Sequence, residues 1–216
     1  QEVSENEIKG RRDFREEIIF TIDSEDAKDL DDAVSVEKTK TGTYILKVHI
    51  ADVSHYVKAS SLIDKEAVIR GTSVYMLDRV IPMLPKKLSN GICSLNEGVD
   101  RLTLSVIMEI DKNGNTISAD VTKGVINVTK RMSYNIVQAL LDLKENEEVE
   151  ENLKPYVEYI EHFKLMEELA HILENKRKEH GYLDLDIPES KVTLSKNGYA
   201  IDVGKYEIKF SNTIIE

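Results

Sequence analysis

One cysteine, Cys93, stands in 216 residues, so no disulfide can form within the chain. That usage fits a reducing compartment and a cytoplasmic protein. No apolar run reaches the roughly 18 residues of a membrane-spanning helix, so no membrane partner is expected. The opening QEVSENEIKGRRDFREE lacks the apolar stretch of a signal peptide. Basic residues are in short supply: 29 Lys and Arg face 40 Asp and Glu, a net charge of −11. This excludes the basic footprint of an ordinary nucleic-acid binder, with two exceptions. Cations held at acidic residues can bind phosphate, or the basic surface can lie outside these residues. Zinc is disfavoured, because Cys93 and five scattered His offer no ligand spacing. There is no internal repeat and no low-complexity segment.

What is present is a globular composition, 41% hydrophobic and 32% charged, long enough for one domain or a large piece of one. Residues 1–16 are mostly charged and read as a flexible lead-in. Residues 17–23 read as a strand, 33–38 and 44–52 as a hairpin, and 101–111 with 116–129 as a second hairpin. Residues 61–71 have helical spacing and stop at Gly71. Pro82 and Pro85 cut 72–95 into loops. Ser133 caps a helix over 133–143. The acidic run 145–153 reads as a solvated linker. Residues 156–181 read as one amphipathic helix with Tyr156, Ile160, Phe163, Met166 and Leu169 facing the core. KVTLS, a turn at 196–198 and YAIDV follow, and SNTIIE reads as the start of another helix, which suggests a longer protein. The expected class is α/β, or α+β in detail, with a mixed or antiparallel sheet and flanking helices.

The stretch TIDSEDAKDLDDAV (21–34) holds five Asp and one Glu against one Lys. Four of them, Asp23, Asp29, Asp31 and Asp32, fall as D-x5-D-x-D-D. Like charges this close cost energy unless something positive neutralises them. Asp29 and Asp31 are two apart and face one side in extended chain. Hard oxygen donors in this number suit Mg²⁺ or Mn²⁺, while the loop lacks the central Gly and closing Glu of an EF-hand. By spacing alone, a solvated acidic turn is as good a reading as a metal site.

Further segments carry a resemblance. TIDSEDAKDLDDAV, VHIADVSHYV (48–57) and RGTSVYMLDRVIPMLPKKLSNGICSLNEGVDRLTLSV (70–106) together resemble the ribonuclease II/ribonuclease R family, on its ribonuclease R side. The family comprises 3′→5′ exoribonucleases with an RNB catalytic domain. The resemblance implies residues 17–216 are the N-terminal part of that domain. It implies processive, Mg²⁺-dependent hydrolysis of single-stranded RNA from its 3′ end to nucleoside 5′-monophosphates, by a monomer. It implies that Asp23, Asp29, Asp31 and Asp32 form the metal site, with Glu216 close by. Tyr75 would stack on the 3′-terminal base, and Leu185 matches a second stacking position that is aromatic in many members. Cold-shock and S1 domains and the rest of the catalytic domain would lie outside residues 1–216, which accounts for the missing basic charge.

On that resemblance, Asp23, Asp32 and Glu216 are the expected direct metal ligands. Asp29 and Asp31 are the catalytic candidates that complete the cluster, with Asp31 set to position or activate the attacking water. The remaining candidates have plainer readings. His49 and His55 read as hydrogen-bonding histidines, Asp52 as either a site neighbour or a turn residue, and Arg70 and Arg101 as phosphate contacts or ordinary ion pairs. Cys93 reads as a small buried residue. Two other classes remain. A phosphatase would use Asp29-Leu30-Asp31 as a D-x-D nucleophile, but Ala33 stands where that motif has Thr. A non-catalytic RNB-like binding module is the other, and retention of all four Asp favours the enzyme.

Overall fold

Period-two alternation builds the middle of a sheet. The computed structural model describes residues 2–144, 148–183 and 190–216. In it Phe20–Asp23 (β2), Asp32–Lys38 (β3) and Tyr44–Ala51 (β4) follow the short strand Arg12–Asp13 (β1). Val74–Tyr75 (β5) and Val80–Ile81 (β6) form a separate small ribbon. Asp100–Ile110 (β7), Thr116–Asn127 (β8) and Lys130–Ser133 (β9) complete a seven-stranded sheet in the order β1-β8-β7-β4-β3-β2-β9. The inner pairs are antiparallel, and the two outermost pairs, β1 with β8 and β9 with β2, are parallel. The fold is mixed α/β, as the pattern implied. Both expected hairpins form, as β3–β4 and β7–β8. The late hairpin forms as Ser190–Leu194 (β10) with Ala200–Lys205 (β11).

Each sheet face buries its own core. On one, Phe20, Ile22, Val36 and Tyr44 meet Val137 and Leu140 of Tyr134–Leu141 (α4) and Phe163, Met166 and Leu169 of Ile160–Glu179 (α5). On the other, Phe14, Leu30, Ala33 and Ala51 meet Ile92, Cys93 and Leu95. Ser133 accepts from the amide of Ile136 at the start of α4, the expected cap. After the short helices Glu5–Ile8 (α1) and Val53–Tyr56 (α2), Ser61 caps Leu62–Arg70 (α3) in the same way, and Gly71 closes it at φ 74.

Three expectations are corrected. Residues 1–16 are more than a lead-in. Glu5–Ile8 is helical, β1 joins the sheet edge, and Phe14 is 1% exposed. The cause is long-range: Arg11 reaches Asp52, and the pair is buried. The linker expected at 145–153 ends in the core, because Leu153 is packed against the helices; residues 145–147 lie outside the described residues. The helix expected from 156 begins as a 3₁₀ turn, Lys154–Tyr159, with Pro155 in its first turn, and becomes α-helical at Ile160. Proline's fixed φ and missing N–H suit such a start.

A buried polar network crosses the sheet. His49 is fully buried, its Nδ1 lies 2.8 Å from Ser105 Oγ, and Ser105 Oγ lies 2.8 Å from Thr103 Oγ1. Gly124 of β8 covers it. A Cβ there would stand 2.8 Å from both hydroxyls and 2.9 Å from the Phe14 ring, so only glycine fits. Burial, aided by the Lys47 charge, pushes the His49 imidazole down to about 4. Unfolded, it titrates near 6.5. As pH falls the unfolded chain takes the proton first, so this contribution is complete above about pH 6.5 and lost towards pH 4. Over that window the urea stability of the wild type should fall by about 3 kcal/mol relative to that of a His49→Gln variant. Parallel stability profiles for the two proteins would contradict this.

Candidate active site and metal centre

β2 and β3 are antiparallel neighbours, so the end of one and the start of the other lie at the same edge of the sheet. Asp23 closes β2 and Asp32 opens β3, which brings both to that edge. Their pairing is confined to Phe20 opposite Val34, and the chain between them opens into the acidic loop.

Other parts of the chain pin this loop. Ser94 Oγ donates to the Lys28 carbonyl at 2.9 Å and accepts from the Leu30 amide at 3.1 Å, fastening the backbone on both sides of Asp29. The Leu95 amide donates to the Leu30 carbonyl, and the Ala51 amide to that of Asp31. Arg131 Nη2 donates to the carbonyls of Glu25 at 3.0 Å and Ala27 at 2.6 Å. Arg101, buried, donates from Nε to the Ser94 carbonyl at 2.8 Å and so holds the residue that holds the loop. Arg101 thus serves the structure, and Arg70 pairs with Glu66 in the ordinary way.

Charge is concentrated where this scaffold ends. Burial and the neighbouring Asp32, Asp31 and Asp29 push the Asp23 carboxyl up to about 6, and Arg131 pulls against them. Asp31 is also raised, by partial burial and then by Asp29 and Asp32. Asp32 is raised chiefly by burial. Among the described residues, none of the ion pairs includes Asp23, Asp29, Asp31 or Asp32. The donor set is therefore four oxygen-bearing groups of one charge sign that enter none of the ion pairs among the described residues, a set that suits a hard divalent cation. The side chains are not drawn together into a finished cage. Among the described residues, no three His, Cys, Asp or Glu converge closely enough to hold a metal ion.

A cleft of about 540 Å³ opens beside the loop, lined by Asp29, Asp31, Ile50, Ser73, Tyr75 and Cys93 among others. Asp29 and Asp31 share it, in keeping with their spacing of two. The Tyr75 hydroxyl donates to Asp29 Oδ2 at 2.6 Å, and that bond, with some burial, pushes the phenol up to about 12. A second cleft, of about 590 Å³, lies beyond Asp23 between Ser24, Tyr134, Lys191, Lys209 and Asn212. Glu216 follows Phe210–Ile215 (α6) and acts, with Asp23 and Asp32, on the Tyr134 phenol, which burial raises first. Leu185 lies outside the described residues.

The family model described as the RNB domain matches residues 11–216. The chain belongs to the RNB-domain family. Relatives of this RNB chain are named ribonuclease R. Ribonuclease R 1 of Lactococcus lactis is 48% identical over 216 residues, covering 100% of this chain and 26% of that protein. Ribonuclease R of Thermotoga maritima is 48% identical over 215 residues, covering 99% and 29%. Among solved structures, Mycoplasma genitalium RNase R in complex with ribose-methylated single-stranded RNA superposes with a TM-score of 0.88. Its identity is 29%, and the match covers 100% of this chain and 33% of that one. The RNB chain thus spans about a quarter to a third of the length of these relatives.

Sequence reasoning missed Ser94, Arg131 and Tyr134 in this RNB chain. Ser94 sits inside the quoted LSNGICSL run, and that unusual segment was the available signal. Arg131 and Tyr134 gave none, because their partners lie across the fold. The other readings find plain partners. His55 Nε2 lies 3.1 Å from Glu7, Asp52 receives Arg11, and the Cys93 thiol is pushed up to about 11 by burial first, with Asp31 adding to it.

Proposed function

We propose that this chain is part of the catalytic domain of a Mg²⁺- or Mn²⁺-dependent exoribonuclease that processively removes nucleoside 5′-monophosphates from the 3′ end of single-stranded RNA. The observation that carries it is four carboxylates held at one sheet edge beside a cleft whose aromatic side chain is hydrogen-bonded to one of them. The RNB family membership and the ribonuclease R relatives support the reaction class. The single-stranded RNA held by the Mycoplasma protein supports the substrate.

In this reading Asp23 and Asp32, with Glu216, would hold the divalent cations, and Asp29 and Asp31 would complete the set. When bound, the cations would neutralise charge on the scissile phosphate and make water a better nucleophile. The chain's own groups do the rest. The Tyr75 ring stacks on the 3′-terminal base, worth about 1–3 kcal/mol per base and tolerant of sequence. Leu185 is the proposed second stacking position. Asp31 orients the attacking water and accepts its proton as the 3′-oxygen leaves. The clamp by Ser94 and Arg131 keeps the loop backbone in one geometry, so only the carboxylate side chains reorganise when cations and substrate arrive.

The test is incubation with 5′-labelled poly(A) in Mg²⁺ or Mn²⁺. The reading expects shortening from the 3′ end with release of 5′-AMP, abolished by EDTA. Cleavage scattered along the RNA, or shortening that EDTA does not abolish, would overturn it.

A further inference from the structure

Tyr75 has two ends of different chemistry. Its side chain stands on β5 with the residue 66% exposed, while its hydroxyl reaches back to Asp29 Oδ2 at 2.6 Å. β5 and β6 lie outside the main sheet and pair only Val74 with Ile81 and Tyr75 with Val80. Other hydrogen bonds of this segment stay local: Met76 amide to Arg79 carbonyl, Met83 amide to Ser73 Oγ, and Arg70 Nη1 to Pro82 carbonyl. Among the described residues, the Tyr75 hydroxyl is therefore the polar tie between the ribbon and the carboxylate loop. On the loop side, Ser94 already fixes the backbone before and after Asp29. What remains free at Asp29 is its side-chain torsions, and the phenol restrains those.

We infer that the Tyr75 hydroxyl is a positioning group for Asp29, so that a base seated on the ring also sets the carboxylate that takes part in the reaction. This rests on the function proposed above and goes beyond the stacking role. The ring and the hydroxyl are rigidly joined. A base that immobilises the ring immobilises the hydroxyl with it, and the carboxylate is ordered when a 3′ end is in place. Phenylalanine would stack equally well and leave Asp29 free to rotate.

The variants Tyr75→Phe and Tyr75→Ala separate the two ends. With 5′-labelled poly(A), Tyr75→Phe should keep KM within about twofold and lower kcat by roughly tenfold or more. RNA binding measured in EDTA should match the wild type. Tyr75→Ala should weaken that binding as well as lower kcat. Melting temperatures serve as the control for folding, and an exposed side chain should leave them unchanged. Tyr75→Phe with wild-type kcat would overturn the inference. So would Tyr75→Phe with intact kcat and raised KM, which would make the hydroxyl a substrate contact. RNA shortening by the wild type that needs no divalent cation would overturn the proposed function and this inference together. An active wild type beside an equally active Tyr75→Phe overturns the inference alone.

Discussion

Asp31→Asn/Asp32→Asn should lose RNA hydrolysis on the order of 1,000-fold, about 4 kcal/mol of barrier, and should fold at least as stably as the wild type. The two halves of this prediction share one cause. Asp31 and Asp32 are both shifted towards the neutral form, Asp32 chiefly by burial and Asp31 by burial and then by Asp29 and Asp32. The folded chain resists these charges without bound cations, so neutral amides of nearly the same shape relieve repulsion. Neither side chain joins an ion pair among the described residues, so their loss breaks none there. Asn keeps the shape and loses the charge that a divalent cation and the attacking water require. Single-turnover assays on labelled RNA measure the first half, and thermal melts at pH 7.5 in EDTA measure the second. Retained hydrolysis would move the chemistry to other residues. A lower melting temperature would make these carboxylates structural.

Arg11→Ala should be the most damaging substitution away from the site. Arg11 and Asp52 are each 5% exposed and pair at 2.7 Å. The same guanidinium donates from Nε to the Glu7 carbonyl at 3.0 Å and from Nη1 to the carbonyls of Thr103 at 3.3 Å and Gly124 at 3.4 Å. Burial acts to raise the Asp52 carboxyl, and the bonds from Arg11 and Ser54 overcome it, leaving Asp52 below the usual carboxylate range. Removing the cation strands that buried charge, which costs about 3–5 kcal/mol. In a chain this size that corresponds to a fall of about 10 °C in melting temperature. The double variant Arg11→Ala/Asp52→Asn should recover part of the loss, because no charge is left behind. Urea unfolding reads both. A cost under about 1 kcal/mol for Arg11→Ala would mean that the N-terminal segment is not needed by the sheet.

Much of this was legible in the sequence, for identifiable reasons. The β3–β4 and β7–β8 hairpins follow from alternation and a glycine turn, both local signals. α4 was marked by Ser133, whose hydroxyl makes the expected capping bond. The acidic loop announced itself by charge, and the shared facing of Asp29 and Asp31 followed from their spacing. What escaped notice depends on contacts distant in sequence. The charged run around Arg11 concealed an ion pair to Asp52, 41 residues on. β9 is four residues, separated from β8 only by Val128 and Thr129, and its place beside β2 comes from pairing across the sheet rather than from pattern. Arg131 clamps the acidic loop from 104 residues away, and Tyr75 meets Asp29 across 46. No periodicity encodes such meetings.

The most direct test of the central claim is a calorimetric titration of Mg²⁺ and Mn²⁺ into this chain beside Asp31→Asn/Asp32→Asn. The account predicts saturable binding to the wild type that the variant loses while remaining folded. A folded wild type that binds neither ion, or a variant that binds them equally well, would contradict it.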